Sequence, residues 1–208
     1  MLKNKVIWQT GLAVLQTLTG AILLGFAFFH LMGNSVINFG ENWMNFYTSH
    51  LDKSNFLIKT ALWLIAVALI GHGLNGFRIT LRYFKKIPEI PRFLADTNYR
   101  GSFLWCVHFV TGSIMAVALI FHLTAAWFGA SEPITTVETI KFHLKNGYYF
   151  ALMILLLLSG IFHACYGTRT ILVKYGILTA HQSKIGFILF ITGIVLAILG
   201  INNLLLYK

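Results

Sequence analysis

Five long apolar runs divide the chain, over about 11–37, 57–81, 103–128, 147–172 and 184–206. Each is long enough for a helix rising about 1.5 Å per residue to cross roughly 30 Å of hydrocarbon. Polar and turn-forming residues are gathered between them, in segments near 38–56, 82–102 and 129–146 that hold Pro88, Pro91 and Pro133. The pattern predicts an all-α membrane protein, a bundle of five transmembrane helices forming a single membrane domain over 1–208, with no room for a soluble domain. The first apolar run is too long for the core of a cleaved signal peptide and reads as a retained span.

Composition agrees with lipid as the natural solvent: 57% of residues are hydrophobic and 11% charged, and mean hydropathy is +0.75. The formal charge of +10 does not indicate nucleic acid, because the basic residues lie between apolar runs instead of along one polar face. It indicates topology. Lys3, Lys5, Arg78, Arg82, Lys85, Lys86, Arg92, Arg100, Arg169, Lys174 and Lys184 fall on one side, and Lys53, Lys59, Lys141, Lys145 and Lys208 on the other. The richer side is expected in the cytoplasm, with the N-terminus there and the C-terminus outside the cytoplasmic membrane. Cys106 and Cys165 sit inside apolar runs without CxxC or CxxCH spacing, so disulfide, zinc, iron–sulfur and covalent haem readings all fail.

Ionisable side chains inside a span are costly and mark function. Four of the five runs hold a deep histidine: His30, His72, His122 and His163. Measured from Gly11 and Phe103, His30 and His122 each lie 19 residues from the basic edge; measured from Leu81 and Leu172, His72 and His163 each lie 9. At about 1.5 Å per residue these are two levels, about 28 and about 14 Å deep. Two histidines at one depth on two helices are what bis-imidazole ligation of a haem iron requires, so two levels predict two stacked b-type haems. Any one buried histidine is as readily a satisfied core residue; four at matched depths are not.

Small residues near these positions (Gly25, Gly33, Gly71, Gly73, Gly76, Gly112, Gly160, Gly167) leave clearance for a flat macrocycle, or serve ordinary helix packing. Gly186, Gly193 and Gly200 form a seven-residue stripe on the fifth helix, which reads as close packing. His108 shares a face with His122 but matches no partner in depth, and ranks as a neighbour of a propionate or of a quinone. Haem propionates need cationic partners, for which Arg78, Arg82, Arg169 and Lys174 are candidates beside simple positive-inside anchoring.

With these four histidines, and with His163-x3-Gly167 followed by Val173-Lys174-Tyr175-Gly176, the chain resembles the single-polypeptide di-haem cytochrome b subunits of succinate:quinone oxidoreductases, succinate dehydrogenase and fumarate reductase. The resemblance implies that His72 and His163 hold a proximal haem, that His30 and His122 hold a distal one, and that Lys174 meets a proximal propionate. It implies a flavoprotein and an iron–sulfur subunit as partners, since the chain has neither a dinucleotide fingerprint nor cysteine clusters, and hence no dicarboxylate site of its own. It also implies a quinone, menaquinone in members of this type, near the distal haem, where the first external loop offers Glu41, His50 and Asp52 as proton carriers. Some fumarate reductases of this family carry a glutamate two residues before the fourth-helix ligand; this chain has Ile161 there. The alternatives are the di-haem quinol cytochrome of a nitrate reductase or hydrogenase, which concentrates ligands on fewer helices, and a proton-coupled transporter, which calls for broken helices and mid-membrane acids.

Overall fold

The computed structural model describes residues 2–51, 56–84, 100–128, 137–177 and 181–208, with side chains over 10–51, 56–81, 103–104, 106–125, 137–177 and 181–208. Helix α1 (Leu2–Asn34) leads into a 3₁₀ turn (Ser35–Phe39) and a short helix α2 (Glu41–Ser49). Then come α3 (Phe56–Phe84), α4 (Arg100–Phe128), a second short helix α5 (Val137–Leu144), α6 (Gly147–Lys174) and α7 (Gln182–Leu206). All are helical, and α1, α3, α4, α6 and α7 are each long and apolar enough to span a membrane. The chain is a multi-pass membrane protein.

Boundaries follow local chemistry. The Asn146 side chain accepts the backbone N–H groups of Tyr148 and Tyr149, capping the start of α6. At its other end Gly176 takes φ +70°, and the N–H groups of Gly176 and Ile177 return to the carbonyls of Val173 and Leu172, the Schellman stop that a glycine permits. The first apolar run was expected to remain one helix to residue 37, but α1 ends at Asn34. There the Asn34 amide donates to the His30 carbonyl and the Ser35 hydroxyl to the Leu31 carbonyl, and Asn38 donates to the Ser35 carbonyl, so side chains compete for the backbone. The two short helices fall in segments read from sequence as connections. Each turns a few apolar positions inward: Met44 in α2, and Val137 and Leu144 in α5, are buried with Ile37, Met153 and Tyr207 in one cluster.

The spans pack as two groups. Helix α1 lies along α3; α6 lies between α4 and α7; the groups meet chiefly where α1 touches α6 and where the 3₁₀ turn touches α7. Large apolar side chains such as Phe29, Trp63, Phe103 and Phe187 face outward, while Thr19, Asn75, Ser159 and Asn203 are buried. That inversion suits a lipid solvent, in which interhelical polar contacts replace hydrophobic burial as the glue. Close packing of the glycine stripe is observed: a Cβ on Gly193 would meet Cys165 and Ile161 of α6, and one on Gly200 would meet Leu157.

Candidate functional site

The seam between the two groups is where the deep histidines meet. His30 of α1 faces His122 of α4 with ring centres 6.3 Å apart and ring planes 70° apart. His72 of α3 faces His163 of α6, also at 6.3 Å, with planes 80° apart. Both pairs join helices that belong to different groups. Neighbouring glycines measure the distance between levels. A Cβ on Gly20 would lie 3.1 Å from His72 Cε1, and one on Gly112 would lie 2.8 Å from His163 Cε1. Gly20 precedes His30 on α1, and Gly112 precedes His122 on α4, by ten residues each, so the levels are about 15 Å apart along the helices.

The donor sets fit haem iron. A metal–nitrogen bond of about 2 Å on each side, plus two imidazole radii, puts ring centres about 6 Å apart. Each facing pair brings two imidazoles to one level, the number of axial ligands that a macrocycle with four nitrogens of its own would take.

Second contacts set the tautomers. His163 Nδ1 donates to the His108 carbonyl at 3.2 Å. His72 Nδ1 donates to Thr19 Oγ1 at 3.2 Å, and that hydroxyl donates onward to the Leu15 carbonyl. His122 Nδ1 lies 3.4 Å from the Tyr149 hydroxyl. A proton held on Nδ1 leaves Nε2 with its lone pair, the form in which imidazole binds metal. Gln16 Nε2 donates to His72 Nε2 at 3.2 Å, and Asn34 Nδ2 to His30 Nε2 at 3.4 Å.

His108 lies against a ligand candidate. Its ring stacks on His163 at 3.9 Å with planes 13° apart, and the Tyr166 ring lies 4.9 Å from it, tilted by 40°. Its Nδ1 is buried with no hydrogen-bond partner among the described residues.

The cationic candidates cluster at the end of the bundle nearer the His72 level. Arg78 donates to Asn75 Oδ1 at 3.0 Å, and the Asn75 amide donates to Gln16 Oε1 and to the Leu12 carbonyl, both at 2.9 Å. Lys174 donates to the Ala13 carbonyl at 3.3 Å, and Arg169 lies beside Gly186. Arg82 belongs to α3, but its side chain is outside the described residues.

At the opposite, far end Glu41 pairs with Lys141, joining α2 to α5. His50 Nδ1 donates to the Phe46 carbonyl at 2.8 Å. Neither bonds to His30 or His122, and Asp52 lies outside the described residues. Sequence reasoning missed Gln16, Thr19, Asn75 and Tyr149. Their one signal is that they are hydrogen-bonding residues inside or at the edge of apolar runs, with Asn75 one turn from His72.

A comparison with curated proteins finds no match. A family model described as the succinate dehydrogenase/fumarate reductase transmembrane subunit matches residues 86–201, more than half of the chain, and includes His108, His122 and His163. On that match, over a five-span helical bundle, the chain belongs to the family of transmembrane subunits of succinate dehydrogenase and fumarate reductase.

Proposed function

We propose that this subunit carries electrons through two bis-histidine haems b, between an iron–sulfur subunit at the basic end and menaquinone at the far end, in a complex that also contains a flavoprotein. The observation that carries the reading is the pair of histidine–histidine contacts at one spacing, 6.3 Å, at two depths and across one seam. His72 and His163 hold the proximal group, and His30 and His122 the distal one. Each bound haem supplies reversible one-electron chemistry.

The chain does the rest. The Thr19 hydroxyl and the His108 carbonyl hold Nδ1 protons on the proximal ligands and thereby orient both rings. Arg78, Arg82, Arg169 and Lys174 supply positive charge to proximal propionates, with Asn75 fixing the Arg78 guanidinium. The apolar spans keep water from the seam. Reduction of menaquinone to menaquinol consumes two electrons and two protons, one proton for each carbonyl oxygen. The electrons arrive singly, and the protons come from water at the far end, where Glu41, His50 and Asp52 are titratable carriers. The basic end faces the cytoplasm, in accord with the Lys and Arg asymmetry.

The test is a pyridine haemochrome assay on the purified complex, with single substitutions. Two haems b per chain are expected. His72→Ala and His163→Ala should remove one spectral component, and His30→Ala and His122→Ala the other. One haem per chain, or loss of the same component in His30→Ala and His72→Ala, overturns the pairing.

A further inference from the structure

His108 of α4 lies flat on one face of the His163 ring of α6, with ring centres 3.9 Å apart and planes 13° apart. Atoms of two surfaces in contact settle at about 3.5–4.0 Å, so the two rings touch face to face. A turn of His163 about its Cβ–Cγ bond would drive one ring edge into the His108 face. The edge that carries Nδ1 and Cε1 is held as well. His163 Nδ1 donates to the His108 carbonyl at 3.2 Å, and a Cβ on Gly112, one turn further along α4, would meet Cε1 at 2.8 Å and Nδ1 at 2.9 Å. One turn of α4 thus sets a ring against the face of His163 and backbone against its edge.

His108 is itself firmly seated. The Tyr166 ring lies 4.9 Å from it, and a Cβ on Gly167 would come to 3.7 Å from His108 Cε1. His163, Tyr166 and Gly167 share one face of α6 at helical spacing, so the His108 side chain is lodged in that face beside the ring it covers. Thr111 Oγ1 donates to the Val107 and His108 carbonyls at 2.8 and 3.0 Å, which ties down the carbonyl that accepts from His163. His108 Nδ1 is buried with no hydrogen-bond partner among the described residues, so the ring is held there by its faces and not by a bond at that atom. His30 has a looser neighbour: the Phe26 ring on its own helix lies 5.4 Å away with planes 26° apart.

We propose that His108 is a positioning residue for the proximal ligand: its side chain fixes the plane of the His163 ring and keeps it near perpendicular to that of His72, at 80°. The proposal rests on the ligand reading above and adds what sets the rotation of one ligand. The His108 carbonyl holds the Nδ1 proton, and the His108 ring holds the plane. A ligand plane fixed in advance has less to rearrange when an electron arrives. Because the carbonyl belongs to the backbone, the two roles separate when the side chain alone is changed.

The experiment compares wild type, His108→Leu and His108→Phe in the intact complex in its membrane. Leucine fills much of the space without a flat face; phenylalanine restores the face without ring nitrogens. Low-temperature EPR of the oxidised complex reads the gmax of each low-spin ferric signal, which is largest when the two axial planes are perpendicular and falls as they turn parallel. Nitrogen-15 spectra of the reduced, histidine-labelled complex, with His163→Gln assigning the resonance, read the Nδ1 proton of His163 directly. His108→Leu should lower and broaden the proximal gmax and broaden or split the His163 Nδ1 resonance, with the distal signal unmoved; His108→Phe should restore both. Unchanged proximal signals in His108→Leu would overturn the proposal, and so would a His108→Phe complex as perturbed as His108→Leu, which would give the role to the nitrogens. Loss of the proximal component from the leucine variant alone supports the proposal, and loss from both variants counts against it. A wild-type complex without low-spin ferric haem signals would sink the haem reading, and the nitrogen-15 comparison would still decide whether His108 fixes His163.

Discussion

Gly112 shows how far a single residue controls the seam. An alanine there would bring its Cβ to 2.8 Å from His163 Cε1 and 2.9 Å from Nδ1, closer than real contacts allow, and the obstructed ring already has the His108 ring against it at 3.9 Å. Its retreat is therefore limited. Gly112→Ala should lose or strongly perturb the proximal haem spectrum and leave the distal component intact, as read in redox difference spectra at low temperature. Retention of both components would show that His163 has slack that the packing does not suggest. The four histidines were legible from sequence because a charged-capable group in an apolar run is expensive. The role of Gly112 was not, because glycine clearance for a macrocycle and glycine packing against a side chain look alike until the facing residue is known. His108 was the harder case. Depth alone sets it apart from the two histidine pairs, and only the fold brings its ring and its carbonyl onto His163.

Among the elements, α7 carries no histidine in its span, yet it is tied firmly to the 3₁₀ turn that follows α1. Asn203 is buried; its amide donates to Ser35 Oγ at 2.9 Å, and its carbonyl accepts from Asn38 at 2.8 Å. Asn202 donates to the Asn38 carbonyl oxygen at 2.7 Å. Asn203→Leu would remove the acceptor of one Asn38 amide bond and the donor to Ser35 Oγ, at a cost of about 1–2 kcal/mol. A fall of several degrees in thermal stability in detergent is expected, with haem content unchanged below the transition. No change in the melting temperature would mean that water satisfies these groups equally well. The five long helices were legible because their signal is additive over some twenty residues. The short helices α2 and α5 were not: eight or nine residues with a few buried positions each give too little periodicity to stand out from polar connections. They acquire their faces only from the cluster they build with Ile37, Met153 and Tyr207.

At the scale of the molecule, the two packed groups and the histidine pairs that bridge them make one vectorial object, so orientation and function stand or fall together. Depth counted along each run separated the histidines into two levels about 14 Å apart, and the ten-residue steps from Gly20 to His30 and from Gly112 to His122 agree with it. Which helices lie side by side was beyond counting, because hydropathy records depth and not azimuth. The direction of the proposed electron path rests on charge: among the described residues Lys3, Lys5, Arg78, Arg82, Arg100, Arg169, Lys174 and Lys184 belong to the helix ends toward the His72/His163 level, and Lys59, Lys141, Lys145 and Lys208 to those toward the other. Short basic segments are retained on the cytoplasmic side during insertion, so the N-terminus should lie inside and the C-terminus outside. A membrane-impermeant thiol reagent applied to intact cells, with single cysteines placed at either terminus in a chain whose own two are replaced, decides it. Labelling at the C-terminus alone is expected. Labelling at the N-terminus alone would invert the bundle, place the His72/His163 pair beside the outer face, and require the iron–sulfur partner to dock where α2 and α5 now close the end.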